Sequence, residues 1–218
     1  MKFGRSAAGT VLAVCVGAGR DAAGAGRLGR TAIDKRPAVG PVELTAHGLI
    51  GDEQADTQHH GGVDQALYVY GQQDADHWTQ ALDRDLPPGS FGENLRVDGL
   101  DVTGALIGER WRIGRDVEVQ VTAPRIPCKV FSNYLDVPDL VARFLSAGRP
   151  GAYLRVLTTG HIEAGDRVEV LERPDHEVTV ADVLRIHTRD RHEADRLLAL
   201  DDLAERARDW AQEHTAAR

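Results

Sequence analysis

Seven short runs with the texture of β-strands, at residues 9–17, 42–46, 66–70, 94–97, 117–122, 152–157 and 167–171, limit what this chain can fold into. Clusters of Gly, Pro, Asn and Asp separate them. Short strands punctuated by turn residues build a barrel or a curled sheet rather than a βαβ repeat. Two helices are predicted between the runs. One covers Gln72–Leu82, with Trp78 and Leu82 four apart; the other covers 138–147, with Leu140, Val141, Phe144 and Leu145 on one face. The texture changes near Val178. Thr179 and Asp182 stand at capping-box spacing, and breaks near Arg189 and Asp201 divide the remaining apolar positions into three helices. Helices this short are unstable alone in water, so they pack on each other or on the barrel. The reading is a mainly β domain with inserted helices over 1–172 and a small all-α appendage of three helices over 173–218.

The 218 residues are enough for one sizeable core with room for such an appendage. No apolar run approaches the roughly 20 residues of a membrane-spanning helix. A formal charge of −8 disfavours a nucleic-acid partner. Lys2 and Arg5 before the apolar stretch 7–18 resemble a weak signal peptide, yet residues 11–16 read equally as a β-branched strand. The strand reading makes the protein cytoplasmic. Cys15 lies inside that strand as a small buried hydrophobe, and its spacing from Cys128 suggests no disulfide framework.

Three segments could carry chemistry. The first holds His59, His60, Gly61, Gly62 and Asp64. Histidines beside acids invite a metal reading, but adjacent side chains seldom converge on one ion, and a polar turn with glycines at positive φ is favoured. Consecutive glycine N–H groups also form an anion-holding concavity. The second segment, residues 88–95, carries Phe91, Gly92, Glu93 and Asn94, and fits a ligand loop and an ordinary loop equally. The third is Pro124-Arg125-Ile126-Pro127-Cys128-Lys129. Two prolines restrict this loop, and Arg125 and Lys129 favour a thiolate at Cys128, so the residue is a candidate metal ligand or nucleophile. Lys35 and Lys129 are two of only three lysines in the chain, the third being Lys2.

The order and type of these pieces resemble the YiiM-type branch of the MOSC family. The resemblance rests on Lys35-Arg36-Pro37, Gly51-Asp52, His60-Gly61-Gly62 with Asp64, Phe91-Gly92-Glu93-Asn94-Leu95 and Pro124-Arg125 with Pro127-Cys128. It continues through Thr179-Val180-Ala181-Asp182 in the tail. Many relatives place an extra residue between the cysteine and the lysine, whereas Lys129 follows Cys128 directly here. The resemblance implies a barrel-like MOSC domain followed by a three-helix domain. It implies a molybdenum–molybdopterin cofactor with Cys128 as the metal ligand. It also implies reduction of small N-hydroxylated compounds, such as the base analogue 6-hydroxylaminopurine, with electrons from a separate reductase. The candidates for holding the cofactor are Lys35, Arg36, His60, Gly61, Gly62, Asp64, Glu93, Asn94, Arg125 and Lys129. Two alternatives stand beside this: a sulfur carrier with a persulfide on Cys128, and a non-catalytic module that binds a pterin or another anion.

Overall fold

A computed structural model describes residues 8–22, 25, 29–55 and 61–216. In chain order the strands are β1 (Ala8–Val16), β2 (Arg20–Asp21), β3 (Arg30–Thr31), β4 (Arg36–Pro37), β5 (Val42–Thr45), β6 (Gly48–Leu49) and β7 (Leu67–Gly71). They continue as β8 (Leu95–Asp98), β9 (Arg110–Ile113), β10 (Val117–Pro124), β11 (Ala152–Thr158), β12 (Gly160–Ile162) and β13 (Arg167–Glu172). The helices are α1 (Gln72–Leu82), α2 (Lys129–Leu135), α3 (Leu140–Ala147), α4 (Val180–Thr188), α5 (Asp195–Leu198) and α6 (Glu205–Ala216).

Seven strands close a barrel in the order β1-β13-β9-β10-β11-β7-β8, with β8 returning to β1. Neighbours are antiparallel except β7 and β8, which run parallel. A parallel pair needs a crossover, and α1 supplies it between them. Register shifts at Val11/Ala13, Glu118/Val119, Val121/Ala123 and Val170/Glu172 bend the strands toward closure. Val11, Val14, Leu67, Val69, Trp111, Ile113, Val119, Val121, Leu154 and Val168 fill the interior. A second apolar cluster gathers Tyr68, Tyr70 and Tyr153 with Trp78, Phe91, Phe131 and Phe144 beneath α1, α2 and α3.

The C-terminal helices belong to the barrel's own core. Val180, Val183, Ile186, Leu197, Leu203 and Ala211 are buried in the same cluster as the strand interior. Thr179 accepts from the Asp182 amide at 3.0 Å while Asp182 accepts from the Thr179 amide at 3.0 Å, the capping box expected from the spacing. Further contacts fix the unit to the barrel. The Ala204 N–H donates to Thr122 O at 3.1 Å, and the Glu205 N–H donates to the Asp64 carboxylate at 2.9 Å. Where three helices were expected, α4 and α6 are regular. The middle one is a 3₁₀ turn, Arg191–Glu193, leading into the single turn α5.

The sequence reading missed the two- and three-residue strands β2, β3, β4, β6 and β12, one strand of the barrel and one helix. Strand β9 is only four residues long, although its alternation of half-buried arginines with buried Trp111 and Ile113 has the period of a strand. Helix α2 begins directly after Cys128, so the cysteine marks a loop-to-helix junction.

Candidate functional site

Among the described residues a cavity of about 590 Å³ opens between the barrel's β7–β11 face, the 30–35 segment, the Cys128 loop and helices α4 and α6. That volume lies in the range of about 300–1,000 Å³ typical of small-molecule sites.

Cys128 reaches this cavity from the end of β10. Pro124 and Pro127 hold the turn, Cys128 itself is extended (φ −121°, ψ 169°), and its carbonyl accepts from the Phe131 N–H at 3.1 Å to start α2. Its side chain stays partly accessible. Cys15 is the opposite case. Burial first, and then the negative charge of Glu93, push its thiol up to about 12, so it stays a protonated filler of the core.

Arg125 forms the cavity floor beside Cys128. It is 5% exposed, donates to the Phe91 carbonyl, and lies with Cζ 4.6 Å from the Phe131 ring centroid and 5.1 Å from that of Tyr68. Two aromatic faces stabilise a buried guanidinium by cation–π attraction. A guanidinium keeps its proton even when buried, so Arg125 stays charged. Its Nε is buried with no hydrogen-bond partner among the described residues. Tyr68 and Tyr153 line the same wall, and burial drives both phenols above their ordinary range. They are neutral at physiological pH.

The lining also carries an ion pair that is almost completely enclosed. Lys35 Nζ donates to Asp52 Oδ1, with side-chain exposures of 8% and 5%. Asp52 also accepts from the Gly17 N–H at 2.8 Å and from Asn94 Nδ2 at 2.8 Å. Asn94 in turn accepts from the Tyr68 N–H at 3.0 Å and donates to the Cys15 carbonyl at 3.3 Å. The 87–93 loop backs this pair and requires glycine at position 89. There φ is +94°, and a Cβ would stand 2.1 Å from the Lys35 carbonyl oxygen.

Of the residues singled out in the sequence, Cys128, Lys35, Gly61, Asn94 and Arg125 meet at the cavity. The Asn94 amide is already engaged, and the Gly61 N–H donates to Gln65 Oε1 at 3.2 Å. Arg36 points to solvent and pairs with Asp34 at 2.8 Å. Lys129 is exposed on the first turn of α2, and Gly62 lies outside the lining. Asp64 pairs with Arg155 at 2.7 Å and receives the α6 N-terminus. Glu93 is fully buried away from the cavity. Its two oxygens accept from the Gly89 and Phe91 N–H groups, each at 2.9 Å, and from the Arg96 guanidinium at 2.5 Å. This saturation corrects the expectation that Glu93 faces a ligand: it shapes the loop whose Phe91 carbonyl receives Arg125. His59 and His60, and the metal reading attached to them, fall outside the described residues. Among the described residues no group of three or more His, Cys, Asp or Glu could hold a metal ion.

The sequence reading missed one whole wall. His187 of α4 and Arg206 and Trp210 of α6 line the cavity across from the barrel. The Trp210 ring lies 4.3 Å from His187 and 4.2 Å from His214, centroid to centroid. Burial, reinforced by Arg191 and His214, depresses the His187 pKa and favours the neutral imidazole. The signal was available in the four-residue spacing of Arg206, Trp210 and His214, which puts them on one helix face.

Comparison with known proteins agrees with this architecture. The MOSC domain family model matches residues 56–169, more than half of the chain. The chain is 36% identical to YflK of Bacillus subtilis over 176 residues, 81% of this chain and 78% of that one. It is 32% identical to YiiM of Escherichia coli over 160 residues, 72% and 70% of the two chains. A protein of Gibberella moniliformis named reductase is 34% identical over 162 residues, which are 72% of this chain and only 28% of that much longer one. The crystal structure of YiiM from Geobacillus stearothermophilus superposes with a TM-score of 0.80 at 25% identity, covering 94% of this chain and 98% of that one. The chain belongs to the MOSC family, in its YiiM-type branch.

Proposed function

We propose that this protein is a cytoplasmic oxidoreductase that holds a molybdenum–molybdopterin cofactor through Cys128 and reduces small N-hydroxylated compounds with electrons from a separate reductase. The single observation that carries the reading is the pairing of an accessible soft sulfur at Cys128 with the buried, hydrogen-bond-deficient Arg125 on the same cavity floor. A thiolate suits a soft metal, and a guanidinium with an unsatisfied Nε suits the anionic groups of a phosphorylated pterin. The family membership and the reductase name of one relative support the same class of chemistry.

When bound, the cofactor would supply the two-electron chemistry that cleavage of an N–O bond needs. The protein's part is binding and orientation. Cys128 offers its sulfur from a loop stiffened by two prolines. Arg125 sets positive charge beside it, and the neutral phenols of Tyr68 and Tyr153 with the Phe131 ring exclude water from the floor.

The test is elemental and pterin analysis of the wild type and Cys128→Ser, both produced with molybdate in a host that makes the cofactor. Near-stoichiometric molybdenum in the wild type, lost in the variant, is the expected result. Cyanide-releasable sulfur without molybdenum would replace this reading with the sulfur carrier. Cofactor binding indifferent to Cys128 would replace it with a binding module.

A further inference from the structure

We propose that Arg206, on the C-terminal helix α6, is an anion-binding residue of the cavity, so that the helical unit forms part of the ligand site. Among the described residues that line the cavity, the basic side chains are Arg30, Lys35, Arg125 and Arg206 and the acidic ones are Asp52 and Glu53. Arg30 is paired with Glu53 at 2.9 Å and Lys35 with Asp52. Arg125 and Arg206 have no carboxylate partner among the described residues, and the cavity is therefore positive in a chain whose net charge is −8.

The contrast with neighbouring arginines sharpens the point. Arg185 and Arg196 pair with Glu193, Arg189 donates to the Leu145 carbonyl, and Arg208 donates to the Leu200 and Asp201 carbonyls. Arg206 donates to none of the described residues, although it stands among acidic neighbours on its own helix. It is also held in place. The Glu205 N–H next to it is tied to Asp64, and the Ala204 N–H to Thr122 O. Its charge acts on Tyr153, the same phenol that feels Arg125 and Cys128. Two guanidiniums without a carboxylate partner thus line one chamber, one from the barrel and one from the helices. A phosphate-like or carboxylate group between them would give both their charge-assisted hydrogen bonds.

The inference rests on the proposed function only for the origin of the anion, which could be the cofactor's phosphate or an acidic group on the substrate. The probe is inorganic phosphate, titrated by calorimetry and by tryptophan emission. Trp210 lies one turn from Arg206 at the cavity, whereas Trp78 and Trp111 are buried elsewhere, so loss of the emission change in Trp210→Phe locates the signal. Arg206→Ala is expected to weaken phosphate binding about tenfold or more, and Arg206→Lys to recover part of it. Arg206 is exposed, and unchanged thermal unfolding of both variants is expected.

Molybdenum and pterin content, measured on the same variants, separates the sources. Cofactor content that falls with phosphate affinity assigns the anion to the cofactor, and intact content assigns it to the substrate. No phosphate binding in the wild type, or equal affinity in Arg206→Ala, overturns the inference. Arg206-dependent phosphate binding in a protein that takes up no molybdenum sustains it while removing the proposed function.

Discussion

Replacing Glu93 by glutamine preserves the side chain's volume and removes its charge. The structure makes this a severe change, because Glu93 is 0% and its partner Arg96 1% exposed, with 2.5 Å between their charged atoms. The guanidinium would be left buried with only the Gln72 side chain at 3.2 Å and the Pro87 carbonyl at 3.4 Å besides the new amide. Removing one partner of a buried ion pair costs about 3–5 kcal/mol. In a domain of this size that is a loss of roughly 6–20 °C in Tm, at 2–4 °C per kcal/mol. Glu93→Leu goes further, since it also orphans the Gly89 and Phe91 N–H groups at about 1–3 kcal/mol each. Against a total stability of about 5–15 kcal/mol, that variant approaches unfolding. Urea denaturation of cofactor-free protein reads both values. A Glu93→Gln variant within about 1 kcal/mol of wild type, but impaired in cofactor binding, would refute the structural role and return Glu93 to the ligand.

Three further outcomes follow from the geometry. Gly89→Ala forces a Cβ to within 2.1 Å of the Lys35 carbonyl at a φ of +94°, and should cost more than about 1–3 kcal/mol by chemical denaturation while loosening the Lys35–Asp52 wall. Asp64→Ala removes the acceptor of the Glu205 N–H and the partner of Arg155, so amide exchange in the first turn of α6 should quicken with a stability loss of about 1–2 kcal/mol. His187 binds a proton less readily in the fold than at its ordinary value of 6.5, so the unfolded chain takes up more protons as pH falls. Stability should therefore drop as pH decreases below about 6.5 toward the depressed folded value, and His187→Gln should flatten that limb of the Tm-versus-pH curve.

How much of this was legible in the sequence depended on the range of the interaction. Helix α1 was read to the residue, because Trp78 and Leu82 repeat at helical spacing and Gly71 and Asp83 bound it. The Thr179–Asp182 box was read for the same reason: three residues separate donor from acceptor. The barrel followed from many short alternating runs. Strand β9 was missed because its two arginines looked like surface, whereas the equally short β5 and β8 were read. At the site, Cys128 and Arg125 could be identified from one loop. The Lys35–Asp52–Asn94 chain could not, since its links are 17 and 42 residues long and no spacing rule reaches so far. Glu93 misled for a related reason. An acid among glycines fits a ligand loop and an ordinary loop equally until its four-residue return to Gly89 and its bond to Arg96 are seen. The helical wall was hidden because the pattern of α6 gives its apolar face but not what that face meets.

Closure of the barrel through β1 and β13 has a consequence for how the protein is made. Ala8 lies opposite Glu169, so the last seam joins residues separated by nearly the whole barrel sequence. Such a pairing carries a large loop-closure entropy and is slow to form. On the ribosome, β1 must wait with one edge open until β13 has emerged, and only then do α4 and α6 have a finished surface to settle on. The chamber that exposes Cys128 is completed last, when the remainder of the chain has already committed to its shape.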